Sequence, residues 1–230
     1  MPPAVGLVLS YLAGSVPAAY MAGRLARGID LRRYGSGNLG ATNVYRVLGA
    51  RVAIAVFLVD LLKGALPVLL LPRITTTPTP GLWAIGYGVA AIAGHVRPVF
   101  LLGKGGGKGV ATAAGVFLAL APWATLIALA AWAIALGASG FVSLASLVAA
   151  VVLPVAILVT RGASSPVLAL AVPLAVFVFW THRDNIRRLR RGEEHRFGRR
   201  TGTSEPMRAA DHDPSAGAGP SPSPPEGERH

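Results

Sequence analysis

The sequence predicts an all-α fold, a polytopic membrane helix bundle of about seven transmembrane helices, and three observations carry that expectation. Of 230 residues, 53% are hydrophobic and only 14% charged, with a mean hydropathy of +0.54. A soluble domain carries about 25% charged residues. The apolar residues fall in runs near the roughly 20 residues that a helix needs to cross a ~30 Å hydrocarbon core. The basic residues gather at the ends of those runs, where they set orientation and meet anionic lipid headgroups.

Val5 to Leu25 reads as the first span. No basic stretch precedes it, so it reads as retained rather than as a cleaved signal peptide. Gly14 and Pro17 are tolerable inside it because neighbouring helices can resatisfy the backbone. Val52 to Leu71 is the second span, with Asp60 and Lys63 at i,i+3 on one face. A charge at the bilayer centre costs at least about 2.5–3.5 kcal/mol, so the two should face protein or water, and a structural ion pair is the favoured reading over a catalytic role. Arg73 to Pro80 is a turn-rich loop. Leu82 to Leu101 is the third span, with small residues at Gly86, Ala90 and Gly94 forming a stripe for close helix approach.

Val110 to Leu136 is apolar but interrupted at Pro122; Val142 to Val159 and Pro166 to Trp180 follow. Three basic segments lie around the first polar loop (Arg24 to Arg51), at Lys104 and Lys108, and from Arg183 to Arg200. The positive-inside rule places all three on the cytoplasmic side. Parity then requires a split at Pro122, giving seven spans with the N-terminus outside and the C-terminus cytoplasmic. The first piece, about 18 Å long, is short for a ~30 Å core, which implies a recessed cytoplasmic side there. Residues 1–197 form the membrane-embedded domain. From Gly198 to His230 the Gly, Pro, Ser and charged composition predicts a disordered cytoplasmic tail.

Composition also excludes chemistry. With no cysteine there are no disulfides, thiolate metal sites or cysteine nucleophile. Asp30, Asp60 and Asp184 are too scattered for a metal-dependent phosphotransferase, and no metal or cofactor is implied. The net charge of +12 sits at the ends of spans and implies lipid headgroups rather than nucleic acid.

Three polar patches remain for function. Tyr34 to Gly49, YGSGNLGATNVYRVLG, sets Ser36, Asn38, Thr42 and Asn43 among Gly35, Gly37 and Gly40, with Arg46 just behind. Glycines let backbone N–H groups approach a ligand, short side chains add donors, and an arginine fork suits phosphate. The glycine spacing also fits a dinucleotide fingerprint, but an apolar helix precedes it where a strand is required. Gly103 to Gly109, GKGGGKG, is not a P-loop: Leu102 stands where the first glycine belongs and Gly109 where Ser or Thr belongs. Its glycine amides and Lys108 still open a helix at Val110, a ready anion site. His182 and Asn185, one turn apart where the last span leaves the membrane, can address one polar ligand. For each patch alone, an interfacial linker or basic stop is the alternative. Together they suit a substrate with one or two phosphates and an apolar part among the helices.

These residues carry a resemblance. YGSGNLGATNVYRVLG, GHVRPVF with GGGKGVATA, and HRDNIRRLRRGEEHRF resemble the three signature regions of the bacterial acyl-phosphate:glycerol-3-phosphate acyltransferases. FVSLAS at Phe141 to Ser146 and FLVDLLKG around Asp60 are also similar. The resemblance spans Val5 to Phe197. It implies a seven-span enzyme of the bacterial inner membrane, with a cytoplasmic active site, that acylates the 1-hydroxyl of glycerol 3-phosphate from acyl phosphate to give lysophosphatidic acid. It assigns Lys108, His182 and Arg46 to catalysis. Ser36, Gly37, Asn38, Gly40, Thr42, Asn43 and Asn185 become substrate-binding positions. The family pattern FKGGKG departs here to GKGGGKG, an extra glycine between Lys104 and Lys108. The expected partners are acyl phosphate, glycerol 3-phosphate and membrane lipids, with no obligatory protein partner. The acceptor hydroxyl's base is either His182 or a substrate phosphate oxygen. A channel or exchanger for phosphorylated solutes is the alternative from another class.

Overall fold

A computed structural model of the chain describes residues 1–198. The tail expected from Gly198 onward lies outside the described residues from position 199. Among the described residues every regular element is helical: α1 (Pro3–Ser15), α2 (Ala18–Arg27), α3 (Ala41–Leu48), α4 (Ala50–Ile74), α5 (Pro80–Val96), α6 (Val110–Leu120), α7 (Pro122–Ser139), α8 (Val142–Arg161), α9 (Pro166–Thr181) and α10 (Arg183–Arg191). Single 3₁₀ turns at Leu31–Arg33 and Val99–Leu101 punctuate the two polar loops.

Five stretches are long and apolar enough to cross a membrane: Pro3–Arg27, α4, α5, α7 and α8. A sixth forms if α9 and α10, bent by 55° at their junction, are taken together, while α6 is short. Outward side chains such as Val8, Ile54, Leu126 and Val155 are exposed, as lipid-facing residues are.

The first span differs from expectation. The helix breaks at Val16 and Pro17, and the backbone of α2 starts afresh at Ala18. Pro17 has no N–H to continue the ladder. The break puts the Val16 carbonyl within reach of α4, where Lys63 Nζ donates to it at 2.8 Å. The break at Pro122 falls where the sequence placed it, with Pro122 opening α7 as an N-terminal proline can.

Two helix pairs approach at backbone contact, each through a glycine on both partners. A β-carbon on Gly14 of α1 would collide with the Ala91 carbonyl of α5, and one on Gly94 of α5 with the Tyr11 carbonyl of α1. Gly64 of α4 and Gly115 of α6 repeat the arrangement against Thr112 and Leu61. Membrane helices gain association from such packing because lipid offers no hydrophobic drive between them. This anchors short α6 beside α4 and so places Lys108, just ahead of it. A core of Phe117, Ala121, Ala124, Ile157 and Ala171 joins α6, α7, α8 and α9.

Candidate active site

Asn43 builds the first wall. It is 1% exposed: its Oδ1 accepts from the Ser36 N–H at 2.8 Å, and its Nδ2 donates to the carbonyls of Leu31 (3.3 Å) and Tyr34 (3.1 Å). The Asn43 side chain is thus occupied within the loop and holds the turn in place. The Ser36 and Gly37 N–H groups also bond inside the turn, Gly37 to the Tyr34 carbonyl. What the loop offers the cavity comes from Ser36, Asn38, Thr42 and Arg46 together with Gly37 and Gly40. Gly37, at φ +69°, adopts the left-handed turn that glycine enters freely.

The second wall is the glycine-rich loop, the third the α9–α10 corner. The Lys108 ammonium donates to Asn185 Oδ1, and Asn185 Nδ2 donates to Glu194 Oε1 at 2.7 Å. Ser143 Oγ donates to the same Glu194 oxygen at 3.0 Å, and Arg188 Nε to Oε2 at 2.8 Å. Gly192, at φ +71°, ends α10 and turns the chain back, so that Glu194 lies buried. Phe197 then stacks on Tyr45, next to Arg46, with ring centroids 4.6 Å apart. Glu194, Arg188 and Ser143 escape the sequence reading as site residues, although all three lie within the quoted motifs. The run around Glu194 is basic and polar, like an exposed surface, and nothing local signals its return into the bundle.

Together these walls enclose the mouth of a cavity of about 500 Å³ that continues between the helices past Leu129, Trp132, Leu153 and Leu174. Every sequence-derived site residue lines it: Ser36, Gly37, Asn38, Gly40, Thr42, Asn43, Arg46, Lys108, His182 and Asn185. The mouth is polar and cationic, the interior apolar. Among the described residues each carboxylate at the cavity has its own cation: Asp60 has Lys63, Asp184 has Arg187 and Glu194 has Arg188. Arg46 and Lys108 have no carboxylate partner among them, so two positive charges at the mouth are unmatched.

The electrostatics follow. Burial and then the nearby Arg188 charge lower the Lys108 pKa to about 8. Burial and the Lys108 charge lower His182 to about 4, so its imidazole is neutral at physiological pH. His182 Nδ1 lies 2.8 Å from the Val178 carbonyl; it must carry the proton to donate there, which leaves Nε2 as an acceptor. Burial works against the Glu194 carboxylate, but hydrogen bonds from Asn185 and Arg188 outweigh it and hold its pKa low.

The fold and the site define a class: an integral membrane protein with a polar, cationic mouth on an apolar cavity. Residues 4–192 match the family model of glycerol-3-phosphate acyltransferase, and the chain belongs to that family. It is 47% identical over 192 residues to the glycerol-3-phosphate acyltransferase of Synechococcus sp. (strain CC9902), covering 84% of this chain and 94% of that one. To the enzyme of the same name from Anaeromyxobacter sp. (strain Fw109-5) it is 44% identical over 196 residues, 84% and 96% of the two chains. Its structure is similar to crystal structures of PlsY (YgiH), an integral membrane glycerol 3-phosphate acyltransferase. The glycerol 3-phosphate form matches with a TM-score of 0.76 and 36% identity, over 85% of this chain and 96% of that one. The lysophosphatidic acid form matches with a TM-score of 0.74.

Proposed function

We propose that this enzyme transfers a fatty acyl group from acyl phosphate to the 1-hydroxyl of glycerol 3-phosphate, releasing lysophosphatidic acid and inorganic phosphate. The observation that carries the reading is the pair of unmatched cations, Arg46 and Lys108, at the mouth of an apolar cavity. Charge at the mouth suits phosphate, and the interior suits an acyl chain.

In this mechanism Lys108, at the start of α6, and the Ser36–Thr42 loop hold the acyl phosphate and take up charge on the departing phosphate. Arg46, His182 and Asn185 hold glycerol 3-phosphate with its hydroxyl against the acyl carbon. Such positioning supplies up to roughly 7–11 kcal/mol at the ideal limit. The hydroxyl oxygen attacks, the C–O bond to phosphate breaks, and the hydroxyl proton leaves with a phosphate oxygen. Of the two bases left open by the sequence, the phosphate is the better matched, because a histidine with a pKa of about 4 is a weak base near neutral pH. His182 Nε2 then orients the hydroxyl by accepting its hydrogen bond. Asn43 acts through the loop that it braces.

The same reading places the chain in the bacterial inner membrane with seven crossings. Short α6 counts as one of them, the N-terminus is outside, and the mouth opens to the cytoplasm. The basic residues at α2, at Lys104 and Lys108, and along α10 support that orientation. Residues 1–197 act as the catalytic domain, with the tail dispensable.

The test is a turnover assay on purified protein with glycerol 3-phosphate and acyl phosphate, reading lysophosphatidic acid and phosphate together. Little or no product is expected from acyl-coenzyme A or acyl-carrier protein. The chain has no cysteine for an acyl-enzyme and is built to receive a departing phosphate, not a thiol. Equal rates with a thioester donor, in protein freed of other acyltransferases, would refute the donor assignment.

A further inference from the structure

A second buried polar cluster lies against the glycine-rich loop, with Asp60 and His95 also lining the cavity, and the reaction as described does not use it. Asp60, Lys63 and His95 are 2%, 8% and 5% exposed. Asp60 Oδ1 stands 2.6 Å from Lys63 Nζ and 3.5 Å from His95 Nδ1, and Lys63 also donates to the Val16 carbonyl at the α1–α2 break. Nδ1 makes no hydrogen bond, so the imidazole is packed against, rather than bonded to, an ion pair that links α4 to the α1–α2 break. Its other edge meets the loop. A β-carbon on Gly107 would collide with His95 Nε2, and one on Gly106 with the carbonyls of Val96 and His95. The Gly107 N–H donates to the His95 carbonyl at 3.3 Å, one residue before Lys108.

We propose that His95 is a positioning residue: the Asp60–Lys63 pair backs its imidazole, the imidazole seats Gly106 and Gly107, and that seat fixes where Lys108 stands. The inference rests on the assignment of Lys108 to phosphate. An ion pair at membrane depth is costly to separate, so it makes a fixed anchor. The loop needs one, because five of its seven residues, Gly103 to Gly109, are glycine and have wide backbone freedom. On this account Gly106 and Gly107 are glycines because the loop backbone lies flush against the last turn of α5. An anion cradle alone would not require that packing.

The chain has no cysteine, so Lys104→Cys provides one spin-label site on the exposed part of the loop. The full-length protein would be labelled in lipid nanodiscs without substrate. His95→Ala should shorten the label's rotational correlation time at least twofold. His95→Gln, whose longer amide reaches the Nε2 position against Gly107, should leave it within a third of the parent value. Gly107→Ala, which pushes the loop off the imidazole, should mobilise the label as His95→Ala does, and it serves if His95→Ala fails to fold.

Activity gives the second reading. If His95 acts through Lys108, adding His95→Ala to Lys108→Ala should cost no more than a further twofold, although His95→Ala alone costs tenfold or more. An immobile label in both His95→Ala and Gly107→Ala, or losses that multiply in the double variant, would overturn the proposal. Absence of wild-type turnover would count against the acyltransferase mechanism instead, and the label comparison would still decide the relay.

Discussion

Two polar clusters lie on either side of the glycine-rich loop, and they differ in whether their charge closes. In the Asp60–Lys63–His95 cluster the carboxylate and the ammonium neutralise each other at 2.6 Å. At the mouth, Glu194 is matched by Arg188, while Lys108 and Arg46 have no carboxylate among the described residues. A closed cluster serves the fold, because separating its members leaves a charge stranded in a medium that cannot solvate it. An open one is held at a cost, and a ligand of opposite charge removes that cost. The depressed pKa of Lys108, caused first by burial and then by Arg188, is the signature of that unmet charge.

The comparison breaks most visibly at Asp60. Asp60→Asn leaves the Lys63 ammonium buried without a counter-charge, a change that costs about 3–5 kcal/mol when one partner of a buried pair is removed. The expected outcome is a large fall in Tm in detergent, with activity lost in proportion to the folded fraction. A Tm near wild type with activity abolished would instead make Asp60 part of the chemistry.

Lys108→Ala and Arg46→Ala should show the reverse pattern. Removing a half-buried cation that has no carboxylate partner strands no charge, and at Lys108 costs only the hydrogen bond to Asn185, so Tm should nearly hold. A charge-assisted hydrogen bond to phosphate is worth about 1.5–3 kcal/mol, so kcat/KM should fall roughly ten- to a hundredfold or more. Near-normal turnover in Lys108→Ala would make the glycine-rich loop a linker.

The same contrast shows what a sequence discloses. Glycines among hydroxyls and amides mark a tight polar turn, which lines the cavity here, and Pro122 marks a helix start, because both signals are local. Pairing of Asp60 with Lys63 was also readable, being one helical turn apart. The contacts that complete each cluster cross between elements. His95 meets Asp60 from another helix, and Glu194 reaches Asn185 and Ser143 only because Gly192 turns the chain back. Asn43 was legible as polar and near the site, but an amide can face a ligand or brace its own loop, and only the fold shows which. Pro17 misled for a different reason: membrane helices often carry proline unbroken, and here the helix breaks, its Val16 carbonyl accepting from both the Ala18 N–H and Lys63.

The smallest effect expected is also the most direct reading of the open cluster, because it needs no change of sequence. In the free enzyme the Lys108 ammonium loses its proton around pH 8 rather than near the usual 10.5. If phosphate recognition requires the charged form, kcat/KM should be level below about pH 8 and decline about tenfold per unit well above it. The pKa is lowered, so the charged form is complete on the acid side and is lost as pH rises. Bound phosphate favours the ammonium, so in kcat the same limb should move to higher pH. Arginine stays protonated throughout this range, so Lys108→Arg should flatten the alkaline limb even where its fork fits the site less well and lowers the plateau. An unchanged alkaline limb in Lys108→Arg would place the titrating group elsewhere and remove Lys108 from the centre of the anion site.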